Sequence, residues 1–294
     1  MVRNKNFHFA QKANLHTHSW YCGHGVGELS DYVKKAKSLG FTALGFSEHA
    51  PLPDERWSSS RMYYNQLNTY VDECRALQKS EKELQILCGF ECDHHNDYIN
   101  YYKDNLLGNN FADYLALAIH YFEDSNGHNV YAGRLPSTRQ WLHRYADAYI
   151  EGLQSGLYAF GVHPDLFGMF YTKWDQEAIA CSKSIIECAT ELAIPLEINA
   201  NGLRKSKVAT NRGKVAPYPL KEFWALASQY DLPIIMNSDA HSPSALDLSK
   251  LGVYEMVNSL NIELSGWLIE QNRDNSFALQ AQKPTKEAKV AISL

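Results

Sequence analysis

The feature that most restricts how this chain can fold is a rhythm. Short apolar runs at 11–15, 41–46, 84–90, 112–119, 158–162, 195–198 and 232–236 are separated by longer stretches, most of them with helical spacing, and each run gives way to polar residues. The first intervening stretch shows the pattern. Leu29, Tyr32, Val33, Ala36 and Leu39 recur on one helical face, and Gly40 stops the helix. Further helices are expected over 97–107, 138–153, 176–193 and 219–230, and one carries Leu67, Tyr70, Val71, Cys74 and Leu77 on one face. Strands that are apolar almost throughout are buried on both faces, as in a parallel sheet wrapped by helices. Polar residues at the C-terminal end of every strand are the mark of a (β/α) barrel, whose site is built from strand-to-helix loops. An open doubly wound sheet would gather them at one switch point. The expectation is therefore an α/β fold with a closed or nearly closed seven-stranded, TIM-barrel-like sheet. Without an internal repeat or a linker, 1–294 reads as one domain, with 277–294 a peripheral C-terminal tail.

Composition narrows the function. The chain has 294 residues and a formal net charge of −5, which argues against a nucleic-acid footprint. No apolar run reaches membrane-spanning length, so no membrane association is expected. Residues 1–11 carry no apolar core of a signal peptide. Six cysteines (22, 74, 88, 92, 181, 188) show no framework spacing, as expected of reduced thiols in a cytoplasmic protein. The oligomeric state is not legible.

The twelve histidines decide the chemistry. His16 and His18 end the first strand. Strand side chains repeat with period two, so both imidazoles point the same way, a natural grip for a divalent metal. His24 follows six residues later. His49, Glu91, His120, His163, Asp239 and His241 lie at later strand ends. Any one of these histidines alone reads better as a core or loop residue. Seven imidazoles and two carboxylates at successive strand ends read as a metal centre for up to three ions. His8, His94, His95, His128 and His143 lack this placement and read as surface or pocket-wall residues.

These motifs resemble those of the polymerase-and-histidinol-phosphatase (PHP) family. The matching pieces are His16-x-His18 with His24, Ser47-Glu48-His49, Gly89-Phe90-Glu91, Ile119-His120, Gly161 to Asp165, and Ser238-Asp239-Ala240-His241. The stretches from Ser47 to Pro53, Glu197-Ile198-Asn199 with Gly202 to Lys205, and Tyr218-Pro219 are similar to the histidinol-phosphatase branch. The resemblance implies a distorted seven-stranded barrel and a division of ligands. His16, His18, Glu91 and Asp239 would hold one metal. Glu91, as a bridge, would hold a second with His120 and His163. His24, His49 and His241 would hold a third. Neutral imidazole suits Zn, Fe or Mn alike, with Zn the first choice.

The implied activity is hydrolysis of L-histidinol phosphate in histidine biosynthesis, by attack of a metal-bridging hydroxide on phosphorus. Catalytic roles are expected for Asp239, Glu91 and Arg204. Arg204 is the first candidate for a phosphate clamp, with Lys205 assisting and Arg61 and Arg134 weaker. Glu48 is a candidate partner for the substrate ammonium, and Tyr121 and Trp57 for its imidazole. Cys22 reads as inert rather than as a soft ligand. Three rivals compete: a PHP phosphoesterase acting on phosphotyrosine or nucleotides, an amidohydrolase, and a non-enzymatic module that binds nucleic acid or a polymerase. The negative charge and complete ligand set disfavour the last. Glu91, where amidohydrolases usually carry a modified lysine, disfavours the second.

Overall fold

A computed structural model describes residues 5–124, 126–210, 213–272 and 276–283. Strand β1 (Lys5–His8) precedes the barrel, and β2 (Ala13–Asn14) begins it. Helix α1 (Leu29–Ser38) leads to β3 (Ala43–His49), and α2 (Leu67–Ser80) to β4 (Gln85–Asp93). A π-helical segment, Tyr101–Leu107, occupies part of the expected 97–107 helix and precedes β5 (Tyr114–Ala118). The expected loop at 122–137 contains a hairpin, β6 (Tyr121–Glu123) with β7 (Asn129–Tyr131), before α3 (Arg139–Gln154) and β8 (Phe160–Gly161). Helix α4 (Gln176–Glu191) precedes β9 (Leu196–Asn199). A second hairpin, β10 (Val208–Thr210) with β11 (Gly213–Val215), precedes α5 (Lys221–Ala227) and β12 (Ile234–Asn237). Helix α6 (Val253–Ser259) and strands β13 (Gly266–Gln271) and β14 (Phe277–Gln282) follow.

The barrel sheet is parallel, in the order β12-β9-β8-β5-β4-β3-β2. It closes between β2 and β12 without a regular ladder. Asn14 Oδ1 accepts from Ser238 N at 2.6 Å, and Asn237 Oδ1 accepts from Leu15 N at 2.7 Å. A single parallel bridge, Thr17 to Ala240, completes the seam. Two side-chain amides thus stand where backbone groups would pair, and this is the local cause of the distortion. All five residues of β5 are buried, as are eight of the nine in β4, in line with burial on both faces.

Local chemistry sets the helix ends. Glu28 and Asp31 form a reciprocal cap on α1. Asp175 accepts from Glu177 N and Ala178 N to start α4. The helices pack on the barrel through a large shell that includes Leu44, Phe46, Leu115 and Leu117, all fully buried. Each such side chain contributes about 1.5–3 kcal/mol of hydrophobic stabilisation. Inside the barrel, Tyr114 and Phe160 fill the space beside Ala13, Ala43, Ala116 and Ala118. Gly89 is required there, because a Cβ would collide with the Tyr114 ring. Tyr114 Oη in turn donates to Leu15 O at 2.7 Å.

A three-stranded antiparallel sheet, β1-β13-β14, closes the N-terminal end of the barrel. Trp267 and Ile269 of β13 join the inner core, with the Trp267 ring 5.6 Å from that of Phe160. Of the stretch read as a peripheral tail, 277–282 forms the edge strand of this sheet, and 284–294 lies outside the described residues. His8, read as a surface or pocket-wall residue, is buried in β1 and lines the hollow beside α2.

Candidate metal centre

At the other end of the barrel the strand ends converge. His16 and His18 follow β2, His49 and Glu91 lie in β3 and β4, His120 follows β5, and His163 follows β8. Asp239 and His241 follow β12, and His24 reaches in from the first loop. Two of these residues sit in left-handed backbone, His163 at φ 30° and Asp239 at φ 46°. Such a conformation costs about 1–3 kcal/mol per residue and persists where the surroundings enforce it, as they commonly do at functional sites.

His16 Nε2 and His18 Nε2 are 3.0 Å apart. Glu91 Oε2 lies 3.5 and 3.2 Å from them, and Asp239 Oδ1 lies 3.6 and 3.3 Å away. Donor atoms that share one ion at about 2.0–2.2 Å lie about 3.0–3.6 Å from one another. The donors of His16, His18 and Glu91 therefore fit a single divalent cation, and Asp239 Oδ1 stands beside both imidazoles. Asp239 Oδ1 is buried without a hydrogen-bond partner, while Oδ2 is held by Asn199 and Asn201 at 3.2 and 3.1 Å. One oxygen is fixed and the other is left for a ligand role.

The second oxygen of Glu91 faces another group. Oε1 lies 2.8 Å from His163 Nε2 and 3.5 Å from His120 Nε2. Glu91 therefore stands between two ligand sets. A third set lies at the rim, where His241 Nε2 and His24 Nε2 are 3.0 Å apart and His49 is close by. His49 Nδ1 leans 3.0 Å toward Glu91 Oε2, so it reaches between sets. The Cys22 thiol also approaches His24 and His241. Overlapping clusters of this kind make a site for more than one metal ion.

Burial disfavours both carboxylates, but the imidazoles outweigh it. His49, His120 and His16 hold Glu91 well below the usual carboxylate range, and His16, His18 and His241 do the same for Asp239. The shift favours the ionised form of Asp239, the form that a ligand role needs. Burial would lower His18, but hydrogen bonds and charge from Asp239 and Glu91 push it up to about 9. Burial wins at His241, which falls to about 3.

Behind the ligands lies a set of buried carboxylates that the sequence reading did not assign. Glu197 Oε1 accepts from His16 Nδ1 at 2.8 Å. Asp93 Oδ1 accepts from His120 N at 2.6 Å, and its Oδ2 pairs with Arg61 at 2.9 Å. A signal did exist: Glu197 and Asn199 are two apart in an apolar strand and so share one face, and a buried carboxylate there needs partners.

The centre opens into a cleft of about 540 Å³. Trp57 and Tyr121 form one wall, with rings 4.6 Å apart and 9° from parallel. Ser60 Oγ fixes Tyr121 Oη at 2.7 Å. Lys205 and Arg134 also line the cleft. Three expected substrate contacts are elsewhere. Arg204 donates to Ser238 O at 2.9 Å and Ala245 O at 2.5 Å, so its guanidinium ties two loops together. Arg61 is buried against Asp93 and Ala50 O, under the Trp57 ring. Glu48 is fully buried behind His18 and accepts from Ser19 N and Oγ at 2.6 Å, so it cannot meet a substrate ammonium. A larger hollow of about 880 Å³ lies by β1 and α2 at the opposite end. Among the described residues none of the ligand clusters lies there, so size does not locate the chemistry.

A parallel barrel with a multi-ligand centre at its C-terminal mouth defines a metal-dependent hydrolase of the phosphoesterase type. Residues 14–201 match the PHP domain. The chain belongs to that family, on its histidinol-phosphatase branch. It is 28% identical over 234 residues to a Deinococcus radiodurans protein named "Probable histidinol-phosphatase", covering 78% of this chain and 85% of that one. It is 26% identical to the histidinol-phosphatase of Bacillus subtilis, covering 79% and 94%. In fold it is similar to histidinol phosphate phosphatase of Lactococcus lactis, solved with zinc, L-histidinol and phosphate, with TM-score 0.65, 16% identity and coverage of 87% and 96%.

Proposed function

We propose that this protein is a histidinol-phosphatase, releasing phosphate from L-histidinol phosphate in the cytoplasm as a step of histidine biosynthesis. The observation that carries the hydrolase reading is Glu91, whose two oxygens face two separate ligand sets. Three ions are assigned, zinc first: one to His16, His18, Glu91 and Asp239, a second to Glu91, His120 and His163, a third to His24, His49 and His241. Bound divalent ions would acidify water and neutralise phosphoryl charge. The substrate assignment rests on the similarity to the two curated relatives.

The chain's own residues supply the rest. Lys205 and Arg134 bring positive charge to the cleft, where a phosphate dianion needs it. The Trp57–Tyr121 stack offers a flat face to a planar leaving group. Asn199 and Asn201 aim Asp239.

A second reading is a phosphoesterase of other specificity, for phosphotyrosine or a nucleotide. It is favoured by one observation: among the described lining residues, Glu91 and Asp239 are the only carboxylates, so a substrate ammonium has no separate acidic partner. The deciding experiment is phosphate release from L-histidinol phosphate, p-nitrophenyl phosphate, phosphotyrosine and a nucleoside monophosphate. A kcat/KM of about 10⁴ M⁻¹s⁻¹ or more on histidinol phosphate, well above the others, supports the first reading. Preference for another ester selects the second. Inactivity on every ester, with metal bound, leaves an amide or lactone hydrolase.

A further inference from the structure

The geometry points to Glu197 as the positioning residue that holds the ligands of both Glu91-linked ion sites in one arrangement. The inference rests on the metal-hydrolase reading and adds to it a residue that binds no ion.

Glu197 lies on β9, which runs between β8 and β12. Its carboxylate is fully buried. Four donors converge on its two oxygens. Oε1 accepts from His16 Nδ1 at 2.8 Å and from Asn237 Nδ2 at 2.9 Å. Oε2 accepts from His163 N at 3.1 Å and from Asn199 Nδ2 at 2.8 Å. His16 belongs to the first ligand set and His163 to the second. Asn199 Nδ2 also reaches Asp239 Oδ2 at 3.2 Å. One side chain thus touches ligands of both sets, directly or through one amide.

The donor count fixes the chemistry. Each oxygen faces two N–H donors, a set that the lone pairs of a carboxylate match and an amide cannot. The Nδ1 proton of His16 is then committed to Glu197, which leaves the Nε2 lone pair for an ion. A carboxylate in this role fixes the imidazole tautomer and ring orientation. Two other buried carboxylates each serve one histidine: Asp93 bonds the His120 backbone, and Glu48 Oε2 stands 4.0 Å from His18 Nδ1. Among the described carboxylates behind the ligands, Glu197 is the one bonded to both sets. Glutamine cannot replace it. Whichever way the amide is turned, its NH₂ confronts two donors and two hydrogen bonds are lost.

The test compares wild type with Glu197→Gln, each stripped of metal and titrated with Zn(II) against a competing chelator. Cobalt(II) absorption follows the ligand field. The expected result is about 10–100-fold weaker binding at two sites, typical for loss of a carboxylate that orients a ligand histidine. The third site should be unchanged, and the cobalt spectrum altered. In case the variant does not fold, ¹⁵N-histidine spectra of metal-loaded wild type, assigned with His16→Asn, report the tautomer directly. His16 should carry its proton on Nδ1. Wild-type affinity and spectrum in Glu197→Gln, weakening at one site alone, or an Nε2-protonated His16 would each overturn the role of Glu197. A wild-type protein that binds no divalent ion would instead sink the metal-hydrolase reading together with it.

Discussion

Nε2 of His16 and Nε2 of His18 face each other at 3.0 Å inside the barrel mouth, with Glu91 and Asp239 close to both. Two ring nitrogens approach this closely when a proton or a cation lies between them. Chelation should therefore abolish turnover, and a divalent ion should restore it. It should also lower the thermal midpoint, because an ion that binds only the folded state stabilises by about 2.7 kcal/mol at a hundred times its Kd. Calorimetry with and without chelator checks this. An unchanged midpoint and unchanged activity would contradict the metal assignment.

Arg61 and Asp93 form a buried pair at 2.9 Å. Removing one partner of such a pair costs about 3–5 kcal/mol, because the other charge is left uncompensated. Arg61→Leu should accordingly lose stability in urea, and Arg61→Leu/Asp93→Asn should recover much of it. A raised KM with normal stability would instead return Arg61 to the substrate site.

Lys205 lines the cleft and Arg204 does not. Lys205→Met should reduce kcat/KM on phosphate esters by about tenfold, near 1.4 kcal/mol, with little change in unfolding. Arg204→Met should show the opposite pattern, since it frees the carbonyls of Ser238 and Ala245. Steady-state kinetics beside urea unfolding separates the two.

Trp57 lies parallel to Tyr121 in the cleft wall. An aromatic pair contributes about 0.5–1.5 kcal/mol beyond its buried area. Trp57→Leu should lower kcat/KM for planar leaving groups several-fold while sparing a small aliphatic phosphate. Equal losses on both would show that Trp57 acts through packing alone.

His8 is buried, and that burial lowers its pKa to about 4 from the ordinary 6.5. The unfolded chain therefore binds the extra proton between pH 6.5 and 4. The contribution is complete above pH 6.5 and is lost as pH falls toward 4. Its size is on the order of 2 kcal/mol after allowance for solvent screening. Urea midpoints at pH 7.5 and pH 4.5 should converge in His8→Asn relative to wild type. An identical pH slope in both proteins would exclude His8.

Much of this molecule was legible in its sequence. The strand–helix rhythm with polar strand ends determined the parallel barrel, because doubly buried strands leave few other solutions. Period-two and strand-end placement also determined which residues stand together as candidate ligands. The tertiary structure alone decided what lies behind and around them. Glu48, Arg61 and Arg204 read as substrate contacts from their motifs, yet their partners lie far off in sequence: Asp93 is 32 positions from Arg61, and Ala245 is 41 from Arg204. Glu197 reaches His16 across 181 positions. Strand β14 falls in the stretch read as a peripheral tail, and only the fold pairs it with β13, whose Trp267 fills the barrel floor. Local pattern fixes which face of a strand a side chain takes, whereas its partner depends on which strand ends closure brings together.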